Sequence, residues 1–227
     1  MLVVTSLGAI AFAAAMAGAA PRAAALPPIV VTVDVAVDLP PVLVSIVLHE
    51  AEAIWQPTGV TFIWRRTPGA NAAAIANPAD PSPSPTALRV TIGDDLGQAP
   101  PDRVPLGWIV FEGDDTPAHE IYVSHRNALE FMTNARGAAR PIAQMPMAEQ
   151  NLMLGRAMGR ALAHEMGHYL LASKAHARRG LMQAAHTAYS FFEIDRSGFA
   201  IDKVMQQALA ARLRHEPLTA ATLHSGT

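Results

Sequence analysis

The sequence contains no cysteine, which excludes a disulfide framework and any metal site built from thiolates. A zinc ion in this protein must therefore be held by His, Asp or Glu side chains. Charge is scarce and nearly balanced, with 17 Lys and Arg against 19 Asp and Glu, so the chain lacks the basic surface of nucleic-acid-binding proteins. Clusters of Lys and Arg typical of a membrane-surface helix are missing as well. These absences favour a globular protein without a nucleic-acid partner, and 227 residues suffice for one hydrophobic core.

The first 25 residues resemble a targeting segment. Residues 2–20 are nearly uncharged and end in small residues, as in the apolar core and cleavage region of a secretory signal peptide, although no Lys or Arg precedes the apolar core. A transmembrane anchor is the alternative, since about 20 apolar residues span a bilayer, but the many Ala and Gly make this stretch weakly hydrophobic. We predict a signal peptide over 1–25, a single domain over 26–227, and a secreted or periplasmic protein. It would contact a membrane only if the segment stays uncleaved.

Residues 29–65 predict a crossover unit. The stretch from Ile29 to Val37 is β-branched and predicts a strand, and Val42 to Trp55 predicts a helix after two prolines. A second strand is predicted from Val60 to Arg65. A strand, a long helix and a strand at this spacing indicate two parallel strands in one sheet.

The remainder predicts further strands and helices without internal repeats. Strands are predicted at 87–92, 106–111 and 120–124, and shorter helices at 126–134 and 201–213. Residues 68–85 form a low-complexity loop rich in proline. The predicted fold class is α+β, with a mixed twisted β-sheet packed against helices.

The central feature is a His-Glu-x-x-His motif, formed by His164, Glu165 and His168. It lies in a helix predicted from Ala148 to Leu171, because good helix formers fill that span and proline is absent from it. Residues four apart stand on one face of a helix, so both imidazoles can point at one ion. Glu165 lies about 100° round the helix, free to reach a water rather than the ion. The flanks are apolar, and Arg156 and Arg160 form the polar stripe upstream of the motif.

A catalytic zinc site takes three protein ligands and keeps a fourth position for water. His176 follows His168 by eight residues, just beyond the predicted end of the helix, and is the first candidate for the third ligand. His186 and Glu193 remain as alternatives. An isolated histidine is more often a surface residue than a ligand. That reasoning assigns ordinary positions to His49, His119, His125 and His215.

The segment from His164 to Leu171, followed by His176 and by Gly180-Leu181-Met182, resembles the zincin metallopeptidases and, among them, the metzincins. The resemblance implies a zincin-like fold around the motif helix, with zinc held by His164, His168 and His176 and with Glu165 as the general base. It also implies that Met182 is the turn methionine beneath the metal, and that residues 120–124 are an edge strand pairing with extended substrate. An ordinary core methionine is the alternative for Met182.

The pattern departs from that of the metzincins at four points, one of which is that Met182 follows His176 unusually closely. Leu171 stands at the metzincin glycine position, and Lys174 stands at the third-ligand position, where a protonated amine cannot bind zinc. His176 becomes the third ligand only with a two-residue insertion.

The predicted function is an exported zinc-dependent metallopeptidase, which hydrolyses peptide bonds of peptide or protein substrates through a zinc-activated water with Glu165 as base. The alternative from another class is a catalytically inactive zincin-like module that serves in binding or structure.

Overall fold

The computed structural model describes residues 26, 28–35, 39–67, 88–94, 105–113, 116–135 and 142–215. The predicted signal peptide at 1–25 and the low-complexity loop at 68–85 lie outside these residues. Among the described helices, none combines the length and the apolar character needed to cross a bilayer.

A five-stranded mixed sheet forms one layer of the described structure. Its strands are β1 (Ile29–Val35), β2 (Phe62–Arg66), β3 (Leu88–Gly93), β4 (Gly107–Phe111) and β5 (Pro117–Ser124). They lie in the order β2-β1-β3-β5-β4, with the first four parallel and β4 antiparallel to β5. The described residues therefore have the predicted α+β class, a mixed sheet packed against helices.

The predicted crossover unit is confirmed. Helix α1 (Pro41–Trp55) connects β1 to β2, which pair in parallel. Its first residue is a proline, whose fixed φ suits the first turn of a helix. On β1, Ile29, Val31 and Val33 are buried to 3% exposure or less and face the helices, because alternate residues of a strand share one face.

The prediction that residues 120–124 form the substrate-pairing edge is wrong. Strand β5 lies inside the sheet, with β3 on one side and β4 on the other. The edge strand is β4, on which Val110 is 46% exposed, whereas Ile121 and Val123 of β5 are fully buried. Strands β4 and β5 are consecutive in the chain and pair antiparallel, and the sequence did not distinguish which of the two contacts β3.

Four α-helices follow the sheet in the part of the chain that the structure describes. They are α2 (His125–Asn134), α3 (Met147–Leu171), α4 (Ala188–Phe192) and α5 (Lys203–His215). Helix α3 confirms the predicted span to within one residue and packs along α1 and against β4 and β5. The motif therefore lies on the helix that contacts the edge of the sheet.

Helices α1 and α3 approach each other closely at two glycines. A Cβ on Gly155 would stand 2.7 Å from Cβ of Ile46, and one on Gly159 would stand 2.7 Å from the carbonyl oxygen of Val47. Real Cβ atoms essentially never come so near. The two glycines thus set the depth at which α3 lies against α1.

Arg160 is buried, contrary to its predicted place in a polar stripe. Its Nε donates to Oε1 of Glu50 at 2.9 Å, and Arg196 donates to the other oxygen at 2.7 Å. Arg160 also donates to the backbone carbonyls of Ser190, Glu193 and Asp195. A buried charge of this kind persists because its partners compensate the loss of hydration. The network ties the chain around α4 to α3, one helical turn before His164.

Gly159→Ala should destabilise the protein. The obstructing atom belongs to the backbone of α1, so the overpacking cost of about 1–3 kcal/mol should exceed the roughly 1 kcal/mol that alanine gains in helix propensity. Urea denaturation of the full chain measures the difference. Gly198→Ala is the matched control, because a Cβ there meets nothing within 4 Å, and it should leave stability within about 0.5 kcal/mol. An unchanged midpoint for Gly159→Ala would show that the helices are not in backbone contact.

Candidate metal centre

Helix α3 carries two of the candidate ligands and then reverses the chain toward them. His164 and His168 stand one turn apart, with ring centroids 4.8 Å from each other. The helix ends where Ala172 adopts the left-handed region at φ 46°, a common geometry for helix termination. The chain that follows returns along the face of α3 that bears the two histidines.

The returning loop brings His176 to the pair. The backbone N–H of Ala177 donates to the carbonyl of Met182 at 2.7 Å, and Gly180 turns the chain with φ 79°. The ring of His176 lies 5.4 Å from that of His164 and 5.0 Å from that of His168, between centroids. One potential ligand atom from each histidine lies within 4.8 Å of the others. Within the described residues, His164, His168 and His176 form the group whose potential ligand atoms lie close enough together to hold one metal ion.

Two backbone carbonyls determine how His164 and His168 present their nitrogens. Nδ1 of His164 lies 2.7 Å from the carbonyl oxygen of Leu181, and Nδ1 of His168 lies 2.6 Å from that of Ser173. A carbonyl only accepts, so each Nδ1 carries the hydrogen and each Nε2 carries a lone pair. The two Nε2 atoms face each other at 3.1 Å. Two lone pairs so placed repel each other unless a cation lies between them.

Burial keeps these imidazoles neutral at pH 7. It lowers the pKa of His164 to about 4, with a further lowering from His168 and His176, while the bond to Leu181 acts in the opposite direction. Burial also lowers the pKa of His168, against the bond to Ser173. Neutral imidazole is the form that binds metal, so both rings present a ligand-ready nitrogen.

The donor set fits a zinc ion. Two nitrogens at about 2.0–2.1 Å from one tetrahedral zinc lie about 3.3 Å apart, which is near the 3.1 Å separation of the two Nε2 atoms. Three histidines are the protein ligands of one known class of catalytic zinc site. The hydrogen bonds from Nδ1 to carbonyls are the outer contacts that usually orient metal-binding histidines.

Glu165 lies beside this group, against strand β4. A Cβ on Gly107 would stand 3.3 Å from Cγ of Glu165, so the glycine leaves room for the carboxyl group. Burial raises the pKa of Glu165 to about 8, and a backbone hydrogen bond at Ile109 acts in the opposite direction. The three histidines and Glu165 line one cleft of about 490 Å³. The Glu165 carboxyl group and the three imidazoles thus share the same space.

Lys174 occupies a different place from a ligand. Its Nζ donates to the carbonyl of Gly113 at 2.7 Å and lies 5.3 Å from the ring centroid of Phe111. The loop therefore sends Lys174 across to the β4–β5 turn, and His176, two residues later, points back to the histidine pair.

The other candidate ligands lie elsewhere in the described structure. His186 stacks on Phe199 with centroids 4.3 Å apart, and burial lowers its pKa. Glu193 offers its backbone carbonyl to Arg160. Neither belongs to the converging group. His119 contacts the hydroxyl of Tyr169 and His125 contacts Asp94, so these two histidines have partners away from the group.

Met182 lies directly beneath the motif. It is 2% exposed, and its Sδ occupies the space that a side chain on Gly167 would need. Gly167 directly precedes His168 in the helix. Met182 therefore contacts the helix turn that bears the histidines, and it also belongs to the hydrophobic core. Met182 is thus a buried core methionine that packs against the motif helix at Gly167.

Sequence reasoning missed the groups that orient the site. The carbonyls of Ser173 and Leu181 belong to the backbone and carry no signal of residue type. Gly107 did offer one, because a glycine inside a predicted strand often marks a close backbone approach. Arg160, one turn before His164, offered another, because it lies between apolar residues of the helix and a buried cation needs a partner.

Comparisons with known proteins find likenesses among solved structures. No family model and no curated protein matches the chain. A crystal structure of archaemetzincin from Methanopyrus kandleri is similar at 16% identity with a TM-score of 0.47, over 82% of this chain and 96% of that chain. At this identity, residue roles do not carry over from one chain to the other.

Metal content tests the donor set. We expect the full chain to bind about one zinc ion per molecule. His164→Ala, His168→Ala and His176→Ala should each weaken zinc binding by more than roughly 10- to 100-fold, which is the typical effect of removing a hydrogen-bond partner of a metal ligand. Competition with a chelator of known affinity measures the change.

His119→Ala is the matched control, since that histidine lies outside the converging group and should leave zinc affinity unchanged. If His176→Ala binds zinc as wild type does, the third ligand is not His176. His186→Ala and Glu193→Ala would then be measured in the same way.

Proposed function

We propose that the chain is a zinc-dependent metallopeptidase in which His164, His168 and His176 hold the ion and Glu165 is the general base. One observation carries the proposal: two neutral imidazoles direct unshared Nε2 lone pairs at each other across 3.1 Å. Their Nδ1 hydrogens are already engaged by carbonyls, so neither ring can donate to the other. A shared metal ion resolves this contact.

The reaction needs a base close to the ion but not bound to it. When present, zinc acts as a Lewis acid that polarises the scissile carbonyl and makes water a better nucleophile at neutral pH. A cation beside Glu165 would lower its raised pKa and favour the carboxylate form, which takes the proton of the attacking water and passes it to the nitrogen of the leaving amine. The position of Glu165 next to His164, about 100° round the helix, directs the carboxyl group toward β4 rather than into the ligand set.

An extended peptide suits the space beside the site. Strand β4 is paired on one side only among the described strands, and its residues Gly107, Ile109 and Phe111 line the cleft. An unpaired strand edge offers backbone donors and acceptors to an added extended chain. Substrates would therefore be peptides or proteins that align along β4.

The first 25 residues are the basis for a proposal about the cellular location of the protein. We propose that the protein is exported, either secreted or periplasmic, because residues 2–20 have the apolar core and small-residue end of a signal peptide.

Glu165→Gln should separate metal binding from turnover. The variant keeps the three histidines, so we expect about one zinc per chain, while hydrolysis of a peptide library falls by about 10²- to 10⁴-fold. Zinc analysis and a cleavage assay on the same preparation measure both quantities.

Chelation of wild type, followed by restoration with zinc, is the control for metal-dependent cleavage. Unchanged turnover in Glu165→Gln would reject this residue as the base. Zinc binding without any cleavage by wild type, in a site closed by a fourth protein ligand, would instead indicate the inactive binding or structural module.

Export predicts a shortened mature chain. When the full sequence is expressed in a cell with a secretory pathway, we expect the protein outside the cytoplasm with its N-terminus near residue 25. Mass spectrometry of the recovered protein locates that N-terminus. Recovery of an intact chain from the cytoplasm would contradict the proposal.

A further inference from the structure

The segment that follows helix α3 contains two groups that serve the metal site and one that contacts the sheet instead. Residues 172–176 are called the ligand loop below, because they orient one candidate ligand and supply another. The carbonyl of Ser173 accepts the Nδ1 hydrogen of His168 at 2.6 Å, and His176 is the third histidine of the converging group. Lys174 lies between Ser173 and His176 in the chain, and its side chain extends to a different element.

Lys174 connects the ligand loop to the end of strand β4. Its Nζ donates to the carbonyl oxygen of Gly113 at 2.7 Å, just beyond the last residue of the strand. The same nitrogen lies 5.3 Å from the ring centroid of Phe111, which is that last residue, within the range of a cation–π contact. One ammonium group therefore holds both a backbone carbonyl and a side chain at the end of β4.

The ring of Phe111 contacts the metal site as well as the ammonium group. It meets the ring of His168 edge-on, with centroids 6.3 Å apart, and Phe111, His168 and Lys174 all line the cleft. Strand β4 is also the edge of the described sheet, with β5 as its partner on one side. The contacts of Lys174 thus join the segment that bears the third ligand to the strand along which a peptide would align.

Lys174 is fixed although it is exposed. A lysine on a free surface usually stays in solvent, because holding its long side chain in one conformation costs entropy. In the described structure, the carbonyl of Gly113 and the ring of Phe111 are the contacts of the Lys174 side chain, and both belong to the same end of β4. Two contacts on one element offset the entropy cost and give the side chain a defined direction.

We propose, on the basis of the proposed function, that Lys174 is a positioning residue that transmits metal binding to the substrate-pairing strand β4. With an ion bound, His176 is fixed, and the ligand loop is fixed with it. Lys174 then holds Gly113 and Phe111 in place, which sets the end of the strand edge. Coupling between two sites is reciprocal, so a peptide bound along β4 should also tighten zinc binding.

Hydrogen exchange tests the proposal without any need for catalysis. The full chain is measured with saturating zinc and without zinc, and deuterium uptake over residues 107–113 is followed by mass spectrometry. We expect zinc to slow exchange in this segment of wild type by at least about 5-fold, the lower end of typical coupling between two sites. Lys174→Ala should lose most of this protection although it still contains zinc, because the three histidines remain.

Two further variants assign the effect to the contacts of Lys174. Lys174→Arg keeps a cation that can donate to the carbonyl and lie over the ring, so it should restore the protection. Arg178→Ala is the matched control, because it removes an exposed cation from the chain just after the ligand loop and should leave the protection unchanged. Equal protection in wild type and Lys174→Ala would overturn the inference. An equal loss in Arg178→Ala would overturn it too, since the charge of the segment would then be the cause.

Kinetics extend the test to the proposed reaction. At saturating zinc, Lys174→Ala should raise KM for a peptide by about 5-fold and leave kcat within about 2-fold, because it loosens a strand that binds substrate away from the reacting bond. Lys174→Arg should return KM toward the wild-type value. A fall in kcat at unchanged KM would contradict a positioning role on β4.

The two measurements separate this inference from the proposed function. Protection by zinc that Lys174→Ala abolishes, in a chain that cleaves no peptide, would refute the peptidase and support the link from Lys174 to β4. Cleavage by wild type, together with identical protection in wild type and Lys174→Ala, would support the peptidase and refute the link.

Discussion

The structure depends on the two carbonyls that take the Nδ1 hydrogens of His164 and His168. Because Ser173 and Leu181 engage these hydrogens, both Nε2 lone pairs are directed at one point and stand 3.1 Å apart. Such a contact is unfavourable without a cation, and the same loop that supplies the carbonyls also delivers His176. The chain reversal at Ala172 and the turn at Gly180 bring the ring of His176 next to the two histidines of the helix.

Behind the site, close packing and one buried charge network limit how far these groups can move. Gly155 and Gly159 allow α3 to lie against α1, which carries Glu50. Glu50 holds Arg160, and Arg160 holds the backbone around α4. Removing one member of such a network would leave a buried charge uncompensated, at a cost of about 3–5 kcal/mol. The same contacts hold Phe199 and the backbone after α4, and Phe199 lines the cleft, so stability and the shape of the cleft have a common origin.

Much of this arrangement could be predicted from the sequence where the relevant contacts are local. Helix periodicity and the absence of proline placed α3 to within one residue, and the four-residue spacing put His164 and His168 on one face. The edge of the sheet could not be predicted, because the choice between β4 and β5 depends on which of them contacts β3. Arg160 was misplaced for the same reason: its partner Glu50 lies 110 residues away in the chain. The carbonyls that orient the histidines are backbone groups, and a sequence pattern does not distinguish one carbonyl from another.

The central claim is that three imidazoles surround one zinc ion. X-ray absorption at the zinc edge, on the full chain loaded with one equivalent, measures the number and type of atoms around the metal. We expect three imidazole nitrogens at about 2.0–2.1 Å, with the fourth position left for water as in other catalytic zinc sites. A chain that takes up no zinc, or a spectrum with fewer than three imidazoles, would contradict it.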